Sequence, residues 1–314
     1  MYIIYIQMEI VNVPPIFQPN YTSDYPSYSS GKNTEEIVYE SLKMNRENIK
    51  TDMVYLPVFW TSYYLKTNYF DGIDLLCKWM ETLDTSKKYF TIVQCDYGIF
   101  IKNLKINITA FSSGGGGINI DKNSCIIDTS YYGLNRSLFS GIKGNYDIPL
   151  ICLPQFSTTN NNRDIYCSFM GRFDTHKCRI DMRNALYTDK GFLFYNSVDY
   201  ENYKNIISRS IFTLAPRGFG YTSFRLFEAI LGGSIPIYIW HDKIILPYSD
   251  EIDWNEFCII IHSNDVGNLP NILKTVDIPK MQNKVETVKQ LFTFNKITEY
   301  VTKIIESNNN INPV

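Results

Sequence analysis

Short apolar runs alternate with amphipathic stretches along most of this chain. Runs at Val54 to Trp60, Tyr89 to Cys95, Ile165 to Met170, Phe192 to Tyr195, Ile211 to Ala215 and Ile235 to Trp240 have the length and the β-branched and aromatic content of buried strands. Helical spacing falls between them. One helix opens at Thr34 with Glu35 and Glu36 in an acidic first turn, and others cover Leu75 to Leu83, a basic segment with Lys177, Arg179 and Arg183, and Tyr200 to Arg209. A further helix over Thr222 to Leu231 is closed by Gly232 and Gly233, and Met281 to Ser307 repeats apolar residues at helical spacing. Strand alternating with helix predicts α/β units built on open parallel sheets. The polar segment Thr158 to Arg163 interrupts the alternation, so the boundary is set there, with an N-terminal Rossmann-like domain over 1–157 and a C-terminal one over 158–314.

The stretch from Ser210 to Ile261 carries the most chemistry. Strand, Pro216–Gly220 turn, helix and strand follow one another as a βαβ unit, and ligands of such units collect at the carboxyl ends of the strands. Gly218 and Gly220 permit a left-handed bend and close approach of the backbone, and Thr222 and Ser223 stand where a helix N-cap belongs. With Arg217 beside it, that turn is a seat for phosphate; the competing reading is an ordinary tight turn with a conventional cap. The spacing matches neither the nucleoside triphosphate P-loop nor the G-x-G-x-x-G fingerprint.

The same stretch resembles the exostosin-type glycosyltransferases, whose pattern runs S-x-F-x-L-x-P-x-G-x-G, S-x-R-x-x-E-A, Ile-Pro, L-P and D-W-x-x-F. The matching residues are Ser210, Phe212, Leu214, Pro216, Gly218 and Gly220, then Ser223, Arg225, Glu228 and Ala229. Ile235 and Pro236, Leu246 and Pro247, and Asp253, Trp254 and Phe257 complete the blocks. Ser234 departs from a common cysteine. The likeness is weaker in the first half, in the VP-x-x-W-like segment Leu56 to Trp60 and in Asp96-Tyr97-Gly98. The resemblance implies a GT-B-like fold of two Rossmann-like domains facing a cleft, with the final helix returning to the first domain. It also implies an inverting transfer from a nucleotide diphosphate sugar, UDP-linked, to a glycan or glycoprotein hydroxyl.

It implies site residues as well. Glu228 is placed to hold the ribose hydroxyls, against the alternative of a surface pair with Arg225 at i,i+3. On side-chain chemistry, Arg217 and Arg172 are the candidates to neutralise the diphosphate, followed by Arg179 and Arg183, because a guanidinium fork suits paired phosphate oxygens; the alternative for each is a solvated surface charge. Gly218, Gly220, Ser223 and Arg225 complete the donor site. Inversion needs a base on the acceptor side, where no histidine occurs, since His176, His241 and His262 all lie in the second half. Asp96, at the end of a strand, is the first choice ahead of Asp71 and Asp52; the alternative is a turn cap. The three histidines are read as structural. Neither a D-x-D motif nor a metal-ligand spacing occurs, so no metal or other cofactor is expected beyond the donor itself.

Composition narrows the rest. A net charge of −2 and a pI near 6.0 give no whole-molecule attraction to nucleic acid. The apolar N-terminus is too short to span a bilayer and lacks a signal peptide's basic flank, in contrast to the Golgi anchor typical of the resembled family. Seven cysteines without paired spacing favour reduced thiols, hence a soluble, cytoplasmic chain. The glycine run Ser112 to Asn119 reads as a surface loop, or else as a backbone-lined edge of the acceptor cleft. A catalytically silent glycan- or partner-binding protein that keeps the fold is the alternative function.

Overall fold

The computed structural model describes residues 7–20, 33–68, 71–96, 98–101, 105–119, 146–151, 162–196 and 200–308. These belong to two compact units, one drawn from within Met1–Ile127, Arg136–Ile148 and Thr293–Val314, the other from within Asp128–Asn135 and Pro149–Phe292. Most of the linker segment Thr158 to Arg163, Tyr97 of the Asp96 turn and the start of the N-terminal apolar run lie outside the described residues.

The first unit holds β1 (Met53–Tyr55), β2 (Lys88–Val93), β4 (Asn107–Ser112) and β6 (Tyr146–Asp147) in one parallel sheet in that order. A small parallel pair, β3 (Ile99–Phe100) with β5 (Ile118–Asn119), follows the main strands. Around the sheet run α1 (Thr34–Asn45), α2 (Trp60–Lys66) and α3 (Ile73–Met80). The apolar run Val54 to Trp60 is not one strand. Pro57 has no amide to donate, so β1 ends at Tyr55 and the chain turns into α2 at Trp60. Trp60, Tyr63 and Tyr64 are buried there, and the Trp60 indole donates to Thr91 Oγ1 at 2.9 Å while Thr91 donates to the Leu56 carbonyl at 2.7 Å. The glycine run is no surface loop: residues 112–118 are buried, leading from β4 into β5.

The second unit contains β7 (Ile165–Met170), α4 (Lys177–Leu186), β8 (Phe192–Tyr195), α5 (Tyr200–Arg209), β9 (Ser210–Pro216), α6 (Phe224–Leu231), β10 (Ile235–Trp240) and β11 (Ile259–His262), followed by α7 (Leu269–Leu273) and α8 (Ile278–Val288). Its five-stranded parallel sheet has the order β11-β10-β9-β7-β8. Chain order therefore steps one way from β7 to β8 and the other way from β7 through β9, β10 and β11. That reversal puts a topological switch point between the carboxyl ends of β7 and β9, where open α/β sheets bind ligands.

The tail is two helices, not one. A 3-10 turn at Lys289–Leu291 ends α8, and Thr293 caps α9 (Phe294–Ser307) by accepting from the Lys296 amide at 3.2 Å. This last helix packs within the first unit: Thr51 Oγ1 donates to the Ile305 carbonyl at 2.8 Å and the Lys50 amide donates to Glu306 at 2.9 Å.

Candidate functional site

The switch point is built from two strand ends. β9 delivers Pro216 and the turn that leads into α6, and β7 delivers Gly171 and Arg172. Gly171 has φ 141°, and a Cβ there would lie 2.4 Å from Arg225 Nη2. Only glycine lets the Arg225 guanidinium lie against the end of β7, where it also covers the Phe169 ring at 4.7 Å. Arg179, buried on α4, spans the switch point: Nε donates to the Arg217 carbonyl and Nη1 to the Arg172 carbonyl, each at 2.8 Å. Gly218 does not take the left-handed backbone anticipated for it. Its lack of a side chain serves close packing, since a Cβ would sit 3.3 Å from Arg179 Nη2.

The arginines assigned to phosphate have partners inside the fold. Arg217 is wholly buried; Nε donates to the Gly220 carbonyl at 3.1 Å, Nη1 reaches Asp242 at 2.5 Å, and the guanidinium lies 4.8 Å over the Tyr221 ring. Arg217 and Arg179 thus shape the turn from beneath. Arg172 is exposed and forms a bidentate pair with Asp174 at 2.8 and 2.9 Å. A solvent-accessible pair of this kind exchanges partners at little cost.

At the start of α6 the polar groups point to a ligand. Ser223 is extended (φ −150°, ψ 152°) and occupies the N-cap position, which shortens the predicted helix by two residues, yet its side chain makes no cap bond. Thr222 and Ser223 are buried, and neither Thr222 Oγ1 nor Ser223 Oγ has a hydrogen-bond partner among the described residues. Such hydroxyls are costly unless something satisfies them. One turn further on, Glu228 is buried and accepts a hydrogen bond from the Tyr203 phenol of α5, so it is not half of a surface pair.

The histidines come together, which the sequence did not reveal. His176 caps α4, His241 follows β10 and His262 ends β11; their rings lie 5.3 Å (His176 to His241) and 5.6 Å (His241 to His262) apart. His241 Nδ1 meets Ser263 Oγ at 2.7 Å, and Asp242, in left-handed backbone at φ 66°, joins the group to Arg217. The signal available was position: His241 and His262 stand at or just past the carboxyl end of a parallel strand, and His176 opens the helix that follows another. Among the described residues no group of three or more His, Cys, Asp or Glu is arranged to hold a metal ion.

In the first unit, Asp96 lies partly buried in the turn after β2. The Gly98 amide closes that turn on the Cys95 carbonyl at 2.8 Å, with Gly98 at φ 71°. The glycine run packs directly on it, since a Cβ at Gly114 would be 2.6 Å from the Gln94 carbonyl and 3.0 Å from Asp96 Cα. Beside it Ser113 Oγ is buried without a partner among the described residues. Asp52 is exposed and paired with Lys88 at 2.9 Å, and Asp71 is exposed before α3. Of the three carboxylates, Asp96 alone combines partial burial with a strand's carboxyl end.

Residues 147–276 match the family model described as the Exostosin GT47 domain. The chain is 30% identical over 112 residues to an exostosin-1 homolog of Caenorhabditis elegans, covering 34% of this chain and 29% of that protein. It is 31% identical over 127 residues to a probable glucuronoxylan glucuronosyltransferase of Arabidopsis thaliana, covering 37% and 27%. Among solved structures it is similar to the GtfA/B complex, with 12% identity and a TM-score of 0.41 over 87% of this chain and 60% of that one. Residues 147–276 are thus similar to exostosin-type glycosyltransferase domains. The matched stretch spans under a third of each curated relative. No helix among the described residues is long and apolar enough to cross a membrane.

Proposed function

We propose that this chain transfers a sugar from a nucleotide diphosphate sugar, UDP-linked, to a hydroxyl of a glycan or glycoprotein, with inversion. The observation that carries the reading is the pair of buried hydroxyls of Thr222 and Ser223, without partners among the described residues, at the switch point of a parallel sheet. A diphosphate at the N-terminus of α6 would accept from both, in a turn held from beneath by Arg217 and Arg179. Arg172 can leave Asp174 for a phosphate oxygen, and Arg225 adds positive charge at the end of β7. Glu228 accepts the ribose hydroxyls while Tyr203 fixes its orientation.

In the reaction the acceptor oxygen attacks the anomeric carbon, and the bond from that carbon to the diphosphate oxygen breaks. UDP leaves with the bonding electrons, and the acceptor proton passes to the Asp96 carboxylate. Relatives named as a probable glucuronoxylan glucuronosyltransferase and a probable glucuronosyltransferase make UDP-glucuronate the first donor to try. The test is UDP release from UDP-glucuronate, UDP-N-acetylglucosamine and UDP-galactose, with and without oligosaccharide acceptors. Release from one of them supports transfer. UDP binding without release from any donor would turn the reading to a silent binding protein, and absence of both would overturn it.

A further inference from the structure

Among the described residues, Glu35 is a buried acid with no part in the proposed transfer. Glu35, the second residue of α1, is 1% exposed, although the sequence pattern puts it in an acidic first turn. Its carboxylate collects three donors from two other segments: the Gln94 amide at 2.8 Å, Thr61 Oγ1 at 2.8 Å and the Thr61 amide at 3.1 Å. Thr61 belongs to the first turn of α2, so the acid sits at a helix N-terminus. No basic side chain among the described residues pairs with it.

Gln94 follows β2 directly and stands two residues before Asp96. Its side chain is tied as tightly as its backbone: Oε1 accepts from the Thr34 amide and Thr34 Oγ1, both at 2.8 Å, and Nε2 donates to Asn33 Oδ1 at 2.9 Å. Gly114 packs on the Gln94 carbonyl and the Asp96 Cα. The amide contact to Glu35 is therefore one fixed point, and the glycine run another, for the short segment that delivers Asp96.

On the reading of Asp96 as the base, we infer that Glu35 is a positioning residue: it fixes the Gln94 amide and through it the placement of the Asp96 carboxylate. Its protonation state matters to that hold. An ionised Glu35 accepts all three donors at full strength, whereas the neutral acid turns one oxygen into a hydroxyl and accepts more weakly. Burial pushes the acid up to about 8, opposed by the hydrogen bonds from Gln94 and Thr61, with nearby Glu36 pushing it further up. Tyr55 on β1 and Tyr64 on α2 also feel its charge, and both phenols are pushed well above their ordinary range, chiefly by burial. The grip on Gln94 tightens as pH rises through the Glu35 transition.

The test is amide hydrogen exchange of the segment around Gln94 to Asp96, alongside UDP release from UDP-glucuronate, in wild type, Glu35→Gln and Thr61→Val. In wild type, protection of the segment is expected to rise between about pH 7 and about pH 9 once intrinsic exchange is corrected for. Glu35→Gln should show about tenfold lower protection with no such rise, and kcat lower by about tenfold with donor KM within about twofold. Thr61→Val, which deletes one donor and keeps the carboxylate, should keep the rise with its midpoint moved to higher pH, and it carries the test if Glu35→Gln does not fold. Wild-type protection in Glu35→Gln, or a loss spread evenly over the first unit, would overturn the positioning role. Asp96→Asn separates the two ideas: wild-type turnover there sinks the base while lowered protection in Glu35→Gln still stands. A dead Asp96→Asn with unchanged protection in Glu35→Gln sinks the positioning role alone.

Discussion

Tyr203 on α5 and Glu228 on α6 meet inside the second unit, phenol to carboxylate, both buried. The contact holds a carboxylate one turn below the unsatisfied hydroxyls of Thr222 and Ser223 and gives the helix pair a fixed register. Tyr203→Phe removes this donor and leaves the acid in place, at an expected cost of about 1–3 kcal/mol for a buried group that loses a hydrogen bond. Urea unfolding measures that cost. If Glu228 takes the ribose hydroxyls as proposed, calorimetry with UDP should show weaker binding in the same variant.

Arg217 reads from sequence as a phosphate ligand, but its guanidinium holds the Gly220 carbonyl and Asp242. Arg217→Ala is therefore expected to lower stability by about 2–3 kcal/mol, below the loss for a fully buried pair because Asp242 is partly exposed. Arg217→Lys should recover little of it, since an ammonium cannot reproduce the fork. Thermal unfolding of the two variants checks this, and wild-type stability in Arg217→Ala would show the buried contacts to be idle.

Glu35 gives stability a direction with pH. Its folded value of about 8 exceeds the ordinary 4.5, so the folded state binds the proton more tightly than the unfolded chain. Its contribution is complete below about 4.5, falls as pH rises from there through about 8, and is level beyond. Glu35→Gln should flatten that part of the curve. Denaturant unfolding at a series of pH values reads the difference, and parallel curves for the two proteins would contradict it.

The alternation of apolar runs was enough to place β1 and β2 of the first sheet and every strand but β11 of the second, and α5, β7, β8 and β10 run as the pattern predicts. The turn at Pro216 to Gly220 was legible because strand, glycine turn and helix are consecutive in the chain. Long-range packing was not. Gly171 is needed for Arg225, and Gly114 for Gln94, through contacts between residues far apart in sequence. Glu35 sits on a helix whose first turn looks solvent-facing until Thr61 and Gln94 cover it. The strand β4 does not stand out because the glycines after it read as a loop, and the histidines do not because their meeting depends on strand order rather than spacing.

Burial also governs the thiols. It pushes Cys178 up to about 11 and Cys258 up to about 12, and raises Cys167 as well. None of the three should be alkylated by iodoacetamide at neutral pH in the folded protein, while all three should react after denaturation. Peptide mapping of the labelled protein decides it; rapid native labelling of Cys167 or Cys258 would mean that the sheet of the second unit opens readily.

The proposed transfer requires the donor diphosphate to occupy the N-terminus of α6. A crystal structure of the protein with UDP measures this directly. The account predicts diphosphate oxygens accepting hydrogen bonds from Thr222 Oγ1 and Ser223 Oγ, with the ribose hydroxyls donating to Glu228. UDP bound away from the segment between Pro216 and Glu228, with the two hydroxyls untouched, would contradict it.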